Sequence, residues 1–284
     1  MTVRQLLRAA IASVPVELRQ RDGGLPSELL LAHVLGVPRS WLYAHPERQV
    51  DQQTGHLFRR LLRRYARGEP LEHIVGRAQF HLVDLEVTPA VLVPRPETES
   101  LVDLALDELA AAEGPLVVDV GTGSGAIALA IARASPRARI IATDISARAL
   151  AVAARNVQRY RLADRVWLMN CDLLPPISAR PDLIVANLPY VATADLDSDA
   201  GAALRHEPRL ALHGGDSGLD LIGRLLEQCA ACLTPAGVLL AEIGRLQGAE
   251  ALGLARRCLP DRKSEILPDQ YGLDRFLRVG ARHE

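Results

Sequence analysis

Lysine is nearly missing from this chain: Lys263 is the only one, and arginine carries the rest of the basic charge. We read that imbalance as coding bias rather than function. Aromatic residues are also scarce, at 4%, so a tyrosine beside a chemical motif stands out. No stretch reaches the ~18 uninterrupted apolar residues of a membrane span, and no basic start leads into a long apolar run as in a secretory leader. A cytoplasmic protein without membrane contact is expected. There, cysteines stay reduced. Of the four, Cys229 and Cys232 have a redox-type spacing, but Leu225, Cys229 and Cys232 share one helical face and read as buried packing. The eight histidines show no ligand spacing, so no metal is expected.

What is present is ordinary globular material: 284 residues, 49% hydrophobic and 24% charged, net charge −1. Such a balance argues against bulk binding to nucleic acid, and direct nucleic-acid binding is not expected. The charge is uneven, with 12 arginines against 8 acids in residues 1–85 and an acidic excess afterwards. Residues 1–77 read as a small helical bundle, punctuated at Gly23-Gly24, Gly36-Val37-Pro38 and Gly68-Glu69-Pro70. Residues 78–90 read as a linking β-hairpin turning at Val83-Asp84. In residues 91–284, apolar strands at 116–120, 139–143, 165–170, 183–186 and 237–242 alternate with helices at 97–112, 124–134, 147–160, 219–233 and 246–258. That alternation predicts a doubly wound α/β sheet. The final strands, 264–267 and 275–279, are joined too tightly for a crossover helix and should pair antiparallel.

The first chemical motif is Asp119-Val120-Gly121-Thr122-Gly123-Ser124-Gly125, where a buried strand turns into a helix. Glycines there permit a tight bend and close approach of a ligand. Asp144, 23 residues after Gly121, ends the next strand, where a carboxylate can accept from both hydroxyls of a ribose. The spacing also satisfies the loose dinucleotide fingerprint. Asp119 favours S-adenosyl-L-methionine, since it can reach the cofactor's amino-acid portion. So does Asp172, which is placed to meet an adenine amino group. The cofactor set is therefore Asp119, Gly121, Thr122, Gly123, Ser124, Gly125, Asp144, Ile145, Asp172, Leu173 and Asn187, with S-adenosyl-L-homocysteine as product.

The second motif, Asn187-Leu188-Pro189-Tyr190, follows the apolar strand 183–186. An amide or aromatic amino nitrogen is a poor nucleophile because its lone pair is delocalised. The Asn187 side-chain oxygen and the Leu188 carbonyl can each accept one N–H of such a group, which orients it and favours positive charge growing on nitrogen. Tyr190 can stack on the planar group. No metal and no strong base are required.

This motif resembles the Asn-Pro-Pro-Tyr signature of methyltransferases acting on planar nitrogens, with Leu188 in place of the first proline. Three further stretches resemble the release factor glutamine methyltransferase family: residues 68–76 with Phe80, Val93-Pro94-Arg95-Pro96-Glu97-Thr98-Glu99, and Glu207–Leu212 with the glycines that follow. The resemblance implies a seven-stranded Rossmann-like class I methyltransferase sheet with an N-terminal helical bundle and a linking hairpin. It also implies methylation of the glutamine side-chain nitrogen, N5, in the Gly-Gly-Gln motif of class I peptide chain release factors. Arg95, Pro96, Glu97 and Glu207 join Asn187, Leu188, Pro189 and Tyr190 as expected substrate-binding residues, and the helical part would help to hold the release factor. Competing readings are an adenine-N6 methyltransferase, a ribosomal-protein glutamine methyltransferase, a nucleoside-binding regulatory module and an NAD-dependent oxidoreductase.

Overall fold

The computed structural model describes residues 1–176, 180–198 and 204–281, and the chain divides into two compact units, Met1–Gly76 and Arg77–Glu284. The first unit contains α1 (Val3–Ser13), α2 (Val16–Asp22), α3 (Leu25–Leu35), α4 (Arg39–Ala44), α5 (Gln52–Ala66) and α6 (Leu71–Val75). Thr2 opens α1 with a capping box to Gln5, and Asp51 caps α5 by accepting from Thr54 N at 2.9 Å. Leu6, Leu30, Leu31, Phe58 and Leu62 are buried in this unit's own core. On the outer face of α5, Arg59, Arg60 and Arg63 line a groove with His56, while Arg64 pairs with Glu69.

The second unit begins with the hairpin of β1 (Arg77–Phe80) and β2 (Val83–Glu86). Its turn lies at His81-Leu82, two residues before the expected place. Phe80 and Val83 face each other and are both 1% exposed, whereas Leu82 is 62% exposed. An apolar residue thus occupies the turn, and the more polar pair Val83-Asp84 lies in the strand. The hairpin is packed into the core of this unit, where Phe80 and Leu85 join Leu101 and Ile127.

There follow α7 (Pro96–Leu109), β3 (Leu116–Val120), α8 (Ala126–Ala134), β4 (Arg139–Asp144), α9 (Ala147–Arg159), β5 (Val166–Asn170), β6 (Leu183–Ala186) and α10 (Thr193–Leu196). The chain continues through α11 (Asp220–Cys232), β7 (Val238–Glu242), α12 (Gly248–Cys258), β8 (Lys263–Pro268) and β9 (Asp274–Gly280). The strands form one seven-stranded sheet in the order β5-β4-β3-β6-β7-β9-β8. Only the pairs that include β9 are antiparallel. The expected fold class and the antiparallel final strands are therefore found.

Every residue of β3, β6 and β7 is buried, as expected of central parallel strands covered on both faces. Side chains alternate between faces. Val117, Leu183 and Leu240 meet α7, α8 and α9, while Val118, Ile184 and Leu239 meet α11 and α12. Cys229 is 1% exposed in the second of these layers, which agrees with packing rather than redox use. The order of strands puts the carboxyl ends of β4, β3, β6 and β7 side by side. Among the described residues, no helix is long and apolar enough to cross a membrane.

Candidate active site

The glycine loop leaves β3 under tight backbone control. Gly121 N and Thr122 N both donate to Thr143 O, at 2.9 and 2.8 Å. Gly121 has φ +75°, and a Cβ there would come within 3.0 Å of Leu188 Cδ2. The positive φ favours glycine, and a side chain there would also press on Leu188. Asp144 ends β4 and holds the loop: its Oδ2 accepts from Gly123 N at 2.9 Å and its Oδ1 from Ser146 N at 2.8 Å. A carboxylate has about four lone-pair sites, so each oxygen keeps acceptor capacity for the two hydroxyls of a ribose. Burial pushes the Asp144 pKa up.

Asp119 is fully buried. Its Oδ2 accepts from Thr122 Oγ1 at 2.6 Å and from Ala128 N at 3.1 Å. Its Oδ1 is buried with no hydrogen-bond partner among the described residues. Burial raises its pKa to about 6, the two hydrogen bonds opposing the shift. A buried carboxylate with one bare oxygen beside a nucleoside-type loop suits the cationic amino group of an amino acid. The residues present therefore fit the ribose of S-adenosyl-L-methionine at Asp144, and the buried Asp119 charge behind the loop favours a cationic ligand in front of it.

Asn187 follows β6 beside this loop. Its Nδ2 donates to Thr98 Oγ1 at 2.9 Å, and Thr98 in turn donates to Glu242 Oε2 at 2.7 Å. Tyr190 reaches the other oxygen of Glu242 at 3.4 Å. Burial, with help from the Glu242 charge, pushes the Tyr190 pKa up to about 12, and burial raises that of Glu242. The Tyr190 carbonyl accepts from Gln247 Nε2 at 3.0 Å. Leu188 is 4% exposed and belongs to the core layer with Val120 and Ile184. Its side chain thus packs against Gly121.

Arg95 and Glu207 meet as an ion pair at 2.7 Å, and Glu207 also accepts from Val93 N at 3.3 Å. The pair ties residues 93–95 to the segment leading to Leu212. Pro96 starts α7, and Glu97 lies in its first turn, where a carboxylate is favoured by the helix dipole. Glu97 therefore has a capping explanation of its own.

A cavity with about 850 Å³ of empty space, part of it open to solvent, gathers many of these groups. Arg95, Gly121, Thr122, Gly123, Ser124, Asp144, Asn187 and Pro189 line it, as do Phe80, Thr98 and Leu210. Asp119, Gly125, Leu188, Tyr190, Pro96, Glu97 and Glu207 are not among the lining residues and support those that are. Three expected cofactor residues are also outside the lining, each with another contact or setting. Asp172 pairs with Arg224 at 2.6 Å, Ile145 is 56% exposed, and the Leu173 carbonyl accepts from Thr143 Oγ1 at 2.8 Å.

The family model for the PrmC N-terminal domain matches residues 4–76, and that for the methyltransferase small domain matches residues 101–219. The release factor glutamine methyltransferase of Moorella thermoacetica is 41% identical over 285 residues, covering 100% of both chains. That of Deinococcus radiodurans is 38% identical and covers 98% of each. The chain belongs to the release factor glutamine methyltransferase family. The fold is also that of the ribosomal protein L11 methylase from Lactobacillus delbrueckii subsp. bulgaricus. The TM-score is 0.51 at 21% identity, over 70% of this chain and 86% of that one.

Two residues that hydrogen-bond to the motif Asn187–Tyr190 in this glutamine methyltransferase family member escaped the sequence reading. Thr98 stood inside a quoted motif with no role attached. Glu242 closes the otherwise apolar run Val238–Ala241, and an acid at the carboxyl end of the strand beside β6 was a usable signal.

Proposed function

We propose that this chain transfers a methyl group from S-adenosyl-L-methionine to the side-chain nitrogen N5 of the glutamine in the Gly-Gly-Gln motif of class I peptide chain release factors. The observation that carries the reading is the setting of Asn187 at the cavity wall. Its amino end is engaged by Thr98, which leaves its oxygen as an acceptor. An oxygen acceptor beside a backbone carbonyl suits an NH2 group on a planar carbon, and full-length similarity to release factor enzymes selects glutamine among such groups.

When bound, the cofactor supplies an electrophilic methyl carbon on a sulfonium, and S-adenosyl-L-homocysteine is the product that leaves. Asp144 and the Gly121–Gly125 loop would hold the nucleoside, and the buried charge of Asp119 behind the loop would favour its cationic end. Asn187 Oδ1 and the Leu188 carbonyl accept the two amide protons, so that the nitrogen lone pair faces the methyl. As the new N–C bond forms and the S–C bond breaks, positive charge grows on nitrogen, and the same acceptors favour it. One amide proton then passes to water. Tyr190, with its pKa raised, stays protonated and offers its ring to the planar group. The helical unit, with the arginine groove of α5, would help to hold the protein substrate, and the work would take place in the cytoplasm.

The test is transfer of labelled methyl to a purified release factor, beside its Gln→Ala variant and a nucleic-acid control. Label on the wild-type factor alone is expected, and Asn187→Ala should lower kcat by roughly 100-fold or more with cofactor affinity kept. Label on nucleic acid would replace the reading by adenine methylation.

A further inference from the structure

An asparagine amide has two ends of nearly equal shape, and only one suits the chemistry above. If NH2 faced the substrate, two donors would meet and the substrate nitrogen would lose an acceptor. Something must therefore decide which way round Asn187 sits, and counting protons along its contacts identifies it.

Thr98 Oγ1 lies 2.9 Å from Asn187 Nδ2 and 2.7 Å from Glu242 Oε2. A hydroxyl has one proton, and an ionised carboxylate only accepts. If Thr98 gave its proton to Asn187, two bare oxygens would face each other across 2.7 Å. With Glu242 in its ionised form, Thr98 must therefore donate to it, and the Thr98 oxygen is left with lone pairs alone for Asn187. Only the NH2 end can satisfy them, so the amide oxygen turns to the other side. Thr98 is 3% exposed and Glu242 1%, so little water can enter to supply a proton from another direction.

Both groups reach this point from distant parts of the chain. Thr98 lies in the first turn of α7, whose start is set by Pro96, and Glu242 ends β7, the strand paired with β6. The second oxygen of Glu242 faces the Tyr190 hydroxyl. One buried carboxylate thus reaches both ends of the Asn187–Tyr190 turn.

We propose that Glu242, acting through Thr98, is a positioning residue that fixes which end of the Asn187 amide faces the substrate. The proposal rests on the reading in which the Asn187 oxygen accepts a substrate N–H.

The experiment measures kcat and KM for the protein substrate, cofactor affinity and thermal unfolding for Thr98→Val, Thr98→Ser, Glu242→Gln and Asn187→Ala. Thr98→Val keeps the shape and removes the relay. It should lower kcat roughly 10- to 100-fold, the scale of a misplaced catalytic group, with KM and cofactor affinity little changed and Tm lowered by the unpaired Glu242 oxygen. Thr98→Ser restores the hydroxyl and should recover most of the loss. Glu242→Gln can offer an NH2 to Thr98, so it frees the polarity of the relay and should lower kcat in the same way. It carries the test if Thr98→Val does not fold. Wild-type kcat in Thr98→Val and Glu242→Gln, with Asn187→Ala inactive, would overturn the relay and leave the catalytic reading standing. Wild-type kcat in Asn187→Ala would overturn both. A loss in Thr98→Val that serine fails to restore would reduce Thr98 to packing and overturn the relay.

Discussion

Asp119 combines total burial, one unpartnered oxygen and a pKa raised from 3.8 to about 6. The folded chain thus holds this proton more tightly than the unfolded one. The cost of ionising it is absent below pH 3.8, grows as pH rises and is complete above about 6. A cationic ligand in front of the loop would offset part of that cost through its charge and favour the ionised form. Affinity for S-adenosyl-L-methionine should therefore be full above about pH 6 and fall by up to about tenfold per unit below it. Asp119→Asn should bind more weakly at pH 7 and lose that acid limb. Isothermal titration across pH 5–8 reads both, and an acid limb kept by the asparagine variant would remove Asp119 from the cofactor site. Asp119 and Asp144 were legible because each ends an apolar strand at a known distance from a glycine turn. The packing of Leu188 was not legible, since it depends on Gly121, 67 residues away.

At the level of elements, the site is the row of carboxyl ends of β4, β3, β6 and β7. Those strands were readable as apolar runs because both of their faces are covered. The hairpin turn was misplaced because Leu82 is an apolar residue at an exposed turn. The relay from Asn187 to Glu242 crosses 89 and then 144 residues of sequence, and no local pattern encodes such a meeting. Another long-range fit involves the glycines after His213. A Cβ on Gly214 would lie 2.6 Å from Pro189 O, 2.7 Å from Gly218 O and 2.8 Å from Tyr190 Cα. These are backbone atoms on two sides, with little room to yield. Gly214→Ala should cost about 1–3 kcal/mol of stability and displace Pro189 and Tyr190, with a fall in kcat of about 100-fold. Calorimetry and single-turnover methylation would check this, and wild-type values in both would mean that the two loops are not held together.

On the scale of the whole molecule, Met1–Gly76 has a core of its own, and every residue lining the cavity follows Arg77. Cofactor recognition and protein recognition should therefore separate. A chain starting at Arg77 should bind S-adenosyl-L-methionine with unchanged affinity, while kcat/KM for a release factor drops at least about tenfold, or 1.4 kcal/mol. Equal kcat/KM would deny the helical unit a part in holding the substrate. The change from helices to alternating strands was readable from the sequence, whereas the hairpin set apart there as a linker, residues 78–90, lies in the second unit. Family membership was visible because several motifs lie far apart in one chain.

The order of the sheet also bears on how the protein is made. β9 is synthesised after β8 yet is inserted between β8 and β7, and Phe276 pairs with Glu242. A nascent chain that has completed β7 therefore carries an open strand edge beside its future active site until residues 274–280 leave the ribosome. Such an edge invites wrong pairing. Closing it is a late event in the synthesis of this chain, and the strand that bears Glu242 gains its second neighbour only then.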